Sequence, residues 1–455
     1  MSRERGGRAA SRFRQPWLLS DRPVPRLVVR PLERFLQLEA GSASLLLAAA
    51  VVALIWANVA GGSYERFWTT SVSVELGPLR LEEDLRHVVN DLLMAVFFYV
   101  VALEVKRELL FGSLRDRRSA LVPASAALGT MVGGAFAYLA VNIVADGDLR
   151  GWAIPIATDI AFAVGVLGLV GRRAPRGLRA FMLTLAVVDD LGTIVVIAIF
   201  FAQDLSLAWL GAAVGVVLVI VIAQRIGVRA LVPYVLLAGA LWLAVFESGV
   251  HATLAGVVLG FLTPAVAFHS RQRVGEVIGE QLSEIARSDA ELSAGTLLHA
   301  SRLAEEGVSP LTRMEERVHP WSAYLILPLF ALANAGVPVS VDGIADALSS
   351  PVGAGIALGL VIGAPVGGFL LAWSLVRAGP ARLPEGLDWA AIAGVAPLKG
   401  IGFTIAIFIS ALAFEERELQ EQSKLAILVG SATAALIGLG VLFSRHLVLR
   451  RRAAR

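Results

Sequence analysis

Cysteine is absent from the 455 residues. Disulfides and thiolate metal sites are therefore excluded. Charge is scarce too. Asp, Glu, Lys and Arg make up 17% of the chain, against about 25% in a typical soluble protein. That deficit excludes an ordinary water-soluble globule of this length. The net charge of +3 is too small to argue for any partner, and no nucleic-acid partner is expected. Residues 1–39 are rich in arginine and lack the apolar core that a signal peptide needs. They read as a basic cytoplasmic tail, and 448–455 as a second one.

What the chain does have is apolar length. Hydrophobic residues make up 56% of it, in runs of about 17 to 25 residues, enough to span a bilayer as helix. The expected fold is an all-α membrane protein with about twelve transmembrane helices. They are placed at 42–60, 89–110, 120–143, 151–170, 178–202, 207–224, 230–246, 249–265, 320–336, 352–376, 388–413 and 424–444. The connecting loops alternate in charge. One set carries Lys106, Arg107, Arg115, Arg172, Arg173, Arg225 and Arg377; the other carries Asp146, Asp148, Asp204, Asp342 and Glu415. Basic loops stay on the cytoplasmic side, so an even number of spans with both termini inside satisfies every loop. The membrane domain is thus expected over 40–447. Two segments inside it are not membrane. Residues 67–82 alternate apolar and polar around Gly77-Pro78, which predicts an extracytoplasmic β-hairpin. Residues 266–318 are polar and read as a partly helical cytoplasmic insertion.

The chemistry sits inside the apolar runs. Asp189 and Asp190 stand side by side in FMLTLAVVDDLGTIVVIAIFFA. One ionised carboxylate at the bilayer centre costs about 2.5 to 3.5 kcal/mol on insertion scales, and two neighbours titrate as a coupled pair. Such a pair persists where something binds, and protons and small cations are the natural candidates. In the fourth span, Pro155 is followed by Thr158 and Asp159; in the eleventh, Pro397, Gly400 and Gly402 surround Lys399. Both read as helices broken near the midplane, which is tolerated where the backbone lines a cavity or is buried in protein. A broken helix exposes a positive end and a negative end; Asp159 can offset the first and Lys399 the second. A plain proline kink is the competing explanation for span four alone. Spans three to five and ten to twelve then correspond, each triplet with a disrupted helix in its middle, the pattern of inverted-repeat transporters. Glycine rows in spans three and ten (Gly129, Gly133; Gly355, Gly359, Gly363, Gly367) allow close helix approach. Asp91, Glu104 and Glu108 in span two, His251, and Glu315 with His319 read first as interfacial or structural polar residues.

The strings NDLLMAVFFYVVALEVKREL, GWAIPIATDIAFAVGVL, LAVVDDLGTIVVIA, SGVHATLAGVVLGF, HPWSAYLILPLFALANAGV, LPEG and GIGFTIAIFISALAF together resemble the bacterial NhaA-type sodium/proton antiporters. They occur in family order along most of the chain. That family is itself an example of inverted repeats with broken helices, so the repeat argument is not independent of the resemblance. The resemblance implies a secondary transporter, not an enzyme, in the bacterial inner membrane. It would exchange cytoplasmic Na⁺ or Li⁺ for external H⁺ under pH control, with no organic cofactor. Asp189 and Asp190 would bind the cation transiently and exchange it for protons. The two broken helices would cross at the midplane with Thr158 and Asp159 in the crossing, where Thr158 would assist the ion and Asp159 would balance the helix ends. Asp91, Glu104, Glu108 and Glu315 match acids tied to structure and pH response. The 67–82 hairpin resembles the family's homodimer contact, with membrane lipid around the rest.

One departure stands out. The family's glycine–lysine–proline string on span ten is Gly363-Ala364-Pro365 here, and the lysine that pairs with the first aspartate is missing. Either Lys399 has taken over its charge, or Asp189 has lost its partner and keeps a proton. Electrogenic exchange is expected in the first case, and electroneutral exchange is the alternative. An intramembrane aspartyl protease is a remote competitor, since such enzymes bring their two aspartates from separate helices. A passive cation channel is another.

Overall fold

The apolar runs fold almost wholly as helix. The computed structural model describes residues 39–76, 79–112, 114, 117–170, 176–202, 204–285, 293–384 and 386–453. The N-terminal tail up to residue 38, Gly77-Pro78, Arg115, Arg172, Arg173 and Glu385 of the LPEG string lie outside the described residues. In chain order the elements are α1 (Glu39–Trp68), β1 (Ser71–Leu76), β2 (Leu79–Asp84), α2 (Leu85–Phe111), α3 (Arg117–Val144) and α4, whose 3₁₀ first half is Leu149–Ile156 and second half Ile160–Val170. Next come α5 (Arg176–Phe200), α6 (Leu207–Arg225), α7 (Leu231–Phe246), α8 (Thr253–Leu262), α9 (Arg271–Ile285) and α10 (Ser293–Glu306). Then α11 begins as Pro310–Trp321 and continues to Leu327–Asn334, followed by α12 (Val341–Ser349), α13 (Pro351–Arg377), α14 in two halves (Trp389–Gly400, Phe403–Ala413) and α15 (Arg417–Ala453).

Among the described residues, eight helices are long and apolar enough to cross a membrane: α1 to α6, α13 and α15. The two halves of α14, bent by 43°, make a ninth candidate, and α7 and α8 are shorter apolar helices. Several expected boundaries move. The first span reaches Trp68 through a non-helical Ala60, so Phe67 and Trp68 are helical and the hairpin starts at Ser71. Its strands pair antiparallel with Leu76 opposite Leu79, and the Asp84 carboxylate accepts the His87 amide at 2.7 Å, which caps the turn into α2. The 266–318 insertion is mostly helix, in α9, α10 and the start of α11. The last helix runs on through 448–453, so that end of the expected tail is helical.

Among the described residues, three π-helical turns interrupt the spans, at Val88–Leu93, Ser322–Ile326 and Gly359–Gly363. The last two precede Pro328 and Pro365. Proline has no amide to give the carbonyl four residues back and clashes with it; widening the turn by a residue relieves both problems. The glycine rows do what their spacing predicts. A methyl added at Gly129 would strike the Gly367 carbonyl, and one at Gly133 the Gly363 carbonyl. Helices α3 and α13 therefore meet backbone to backbone, and the same ridge lies against Pro155, which touches both Gly134 and Gly359. Phe408 of α14 packs against Phe98 of α2 and Phe330 of α11, with ring centroids 5.7 and 6.3 Å away. The broken helix is thus wedged into the main hydrophobic core.

Candidate ion-binding site

Two uncoiled links cross in the buried core. In α4 the link is Ala157–Asp159, just after Pro155; in α14 it is Ile401–Gly402, after a 3₁₀ turn that opens at Ala396-Pro397. The Asp159 amide donates to the Ile401 carbonyl at 2.6 Å. The Thr158 hydroxyl donates to the Lys399 carbonyl at 3.0 Å. Each link thus supplies partners for the polar backbone that the other exposes, as low-dielectric surroundings require. Asp159 does more than balance its own helix. One carboxylate oxygen accepts the Phe162 amide at 3.2 Å. The other accepts the Thr404 amide at 3.2 Å and the Thr404 hydroxyl at 2.6 Å. A single carboxylate therefore sits at the positive N-termini of both second half-helices, where helix dipoles favour negative charge.

Lys399 lies at the end of the 3₁₀ turn, 4% exposed. Its ammonium donates to Asp189 Oδ2 at 3.0 Å. Asp189 is 1% exposed and its second oxygen, Oδ1, has no hydrogen-bond partner. Asp190, 7% exposed, stands beside it, with Asp189, Glu104, Lys399 and Asp159 as charged neighbours. The structure thus gathers Asp189, Asp190, Lys399, Thr158 and Asp159 from α4, α5 and α14. It also brings Glu104 of α2 within electrostatic reach. Ala364 is fully buried in α13, and no cation stands at that position.

The remaining candidates lie apart. Asp91 is near the N-terminal end of α2, where Trp242 donates to its backbone carbonyl at 3.0 Å. Glu108 is at the other end of α2, its carbonyl accepting the Gly112 amide. Glu315 forms an ion pair with Arg107 at 2.5 Å, and its Oε2 has no hydrogen-bond partner. Burial raises the Glu315 pKa above the usual glutamate value; Arg107 opposes that shift. His319 reaches Glu104 at 3.5 Å, and burial lowers its pKa while Glu315 works to raise it. The Nε2 of His251 has no hydrogen-bond partner. Sequence reasoning missed Thr404 as the partner of Asp159. Its signal was present, a hydroxyl residue at the start of the half-helix after a glycine pair, but the crossing that brings Asp159 to it is not local.

Comparison with known proteins bears on the same segments. Residues 33–442 match the family described as Na⁺/H⁺ antiporter 1. The chain is 43% identical over 424 residues to the Na(+)/H(+) antiporter NhaA of Rhodopirellula baltica, covering 92% of this chain and 95% of that protein. It is 44% identical over 411 residues to the Na(+)/H(+) antiporter NhaA of Aeromonas hydrophila, covering 90% and 94%. It is also 44% identical over 415 residues to the Na(+)/H(+) antiporter NhaA of Escherichia coli O1:K1, covering 90% and 97%. The match takes in both broken helices and the aspartate pair, and the chain belongs to the Na⁺/H⁺ antiporter 1 family.

Proposed function

We propose that this membrane protein exchanges cytoplasmic Na⁺ or Li⁺ for external H⁺ at the Asp189–Asp190 pair. The observation that carries the reading is a buried carboxylate pair beside two crossed, uncoiled links, with a single ammonium on one aspartate and an oxygen of that aspartate left unpartnered. Carboxylates bind either protons or a small cation, so the two substrates compete for the same oxygens. At alkaline cytoplasmic pH the pair gives up its protons and takes Na⁺. Protons re-enter on the other half-cycle. Activity then rises with pH without a separate sensor, and Glu315, Glu104, Glu108 and Asp91 tune that response. Thr158 assists the ion, and Asp159 holds the half-helix ends together. The reaction is transport, with no covalent chemistry.

The same reading has twelve spans. The nine long candidates are joined by α7, α8 and the Leu327–Asn334 end of α11, with both termini in the cytoplasm. Helices α3–α5 and α13–α15 form the two inverted repeats and move as one body against the rest. The protein lies in the bacterial inner membrane, surrounded by lipid, and pairs into a homodimer through the β1–β2 hairpin. Lys399 supplies the charge that the family keeps on span ten, so exchange is electrogenic. Two protons against one Na⁺ move one charge, worth about 2.3 kcal/mol per 100 mV. Electroneutral exchange is the second reading, favoured by Ala364 at the family's lysine position.

The test uses proteoliposomes loaded with a pH-sensitive dye. Na⁺, Li⁺ or K⁺ is added outside at several pH values, with and without an imposed potential. Na⁺- or Li⁺-driven proton efflux is the expected result, and its response to voltage separates electrogenic from electroneutral exchange. Cation flux without proton movement would overturn the antiport reading in favour of a channel. Asp190→Asn should abolish exchange while leaving the protein folded and inserted; normal transport by that variant would defeat the assignment of the site.

A further inference from the structure

Among the described residues, the backbone of the α14 link makes one hydrogen bond outside the two broken helices. Residues 399–404 give Lys399 O to Thr158, Ile401 O to the Asp159 amide, and the Thr404 amide to Asp159. The Gly402 amide instead donates to Ser431 Oγ of α15, at 3.2 Å. Ser431 is buried. The approach that permits this bond is built from small residues on one face of α15. At the 3₁₀ turn Ala434 faces Gly400 and Gly438 lies against Leu398, while Gly430 on the same face lies against Leu360 of α13. Four-residue spacing of small side chains draws two backbones together, and here it draws α15 onto the 3₁₀ turn that carries Lys399. No other described hydrogen bond reaches the Gly402 amide, so Ser431 holds the point where α14 resumes.

We infer that Ser431 is a positioning residue for Lys399: by fixing the Gly402 amide it sets the link so that the ammonium rests on Asp189. The inference rests on the reading of Lys399 and Asp189 as part of the transport site. Losing the hydroxyl leaves a buried donor unpaired, and the link, three residues from Lys399, gains freedom. The side chain then loses its fixed distance to Asp189.

Two measurements on the full-length protein test this. The first is amide exchange of residues 399–404 in wild type, Ser431→Ala and Ser431→Thr. Exchange at Gly402 should rise about ten-fold in the alanine variant and return to wild type with threonine, which keeps the oxygen. The second is Na⁺-driven proton flux against pH. Ser431→Ala should move the pH profile and weaken apparent Na⁺ affinity by about ten-fold. In a Lys399→Ala background it should add nothing further, because coupled residues are non-additive. Unchanged amide protection in Ser431→Ala, or a full additional shift in the Lys399→Ala background, would overturn the inference. If the wild type moves no protons with Na⁺, the transport reading falls, and amide exchange alone decides whether Ser431 positions the link.

Discussion

At the residue scale, the decisive question is where one positive charge stands. Lys399 and Asp189 are both almost fully buried and 3.0 Å apart. Breaking a buried pair by removing one partner costs about 3 to 5 kcal/mol if the other stays charged; otherwise the survivor binds a proton. Lys399→Ala should therefore change both the pH profile and the voltage response of transport. Restoring a lysine at the family position, Ala364→Lys in the same background, should recover them. No change on removing Lys399 would show that the charge does not serve the site. Glu315 makes a second prediction, with the sign fixed by linkage. Its pKa is raised in the folded protein, mainly by burial. It binds more proton folded than unfolded, so its contribution to stability is complete below the ordinary glutamate range and is lost as pH rises through its folded value. Thermal unfolding in detergent should show wild type losing stability relative to Glu315→Gln over that window. Parallel curves would remove Glu315 from the pH response. Both residues were legible in the sequence as types: a lysine in a broken span, an acid at a span mouth. The Lys399–Asp189 contact was one of two alternatives raised by the missing lysine at Ala364, not by any local pattern, since the two lie 210 positions apart. The Arg107–Glu315 pair was not foreseen, because it joins two different helices.

At the element scale, glycine spacing was the most readable feature and the π turns the least. The rows at Gly129, Gly133, Gly363 and Gly367 announced a close crossing, and the backbone contact of α3 with α13 is that crossing. Gly133→Val should force the two helices apart and cost about 1 to 3 kcal/mol, the usual range for overpacking. Thermal melting checks it, and unaltered stability would mean the crossing can relax. Pro328 and Pro365 fell inside spans expected to be continuous, and a proline in a helix can kink, end or widen it. Which one follows depends on the neighbours packed around the freed carbonyl. The breaks in α4 and α14 were legible for the same reason that they exist: proline and glycine next to polar residues in an otherwise apolar run. Asp159 was expected, through the resemblance, to balance the helix ends, and its carboxylate accepts from both second half-helices because the links cross at that point.

At the scale of the whole molecule, the pattern of charges and apolar runs gave the helical membrane class, but short helices limit any count made from length. Helix α8 has ten residues, about 15 Å at 1.5 Å per residue, so as a span it must cross about 30 Å of hydrocarbon together with the non-helical residues that flank it. Its expected span, 249–265, had included flanking apolar residues that the chain uses as loop. The hairpin was legible from its period-2 alternation, and the proposed dimer makes it removable. Replacing β1 and β2 by a short polar linker should convert a dimer in detergent to a monomer, read as mass by light scattering. A dimer that survives would shift the contact elsewhere.

Near the start of α2, at the other end from Arg107, Glu65 of α1 holds Arg86 at 3.0 Å and Arg417 of α15 at 3.2 Å. In the proposed cycle α15 travels and α1 does not, so the Glu65–Arg417 contact must open once per turnover. Both side chains are substantially exposed, and dissolved ions weaken a solvent-exposed ion pair of this kind. Turnover would then quicken in saline surroundings even when the added salt is one the site cannot carry, such as choline chloride. The ambient ionic strength would act on the speed of the carrier without ever entering it.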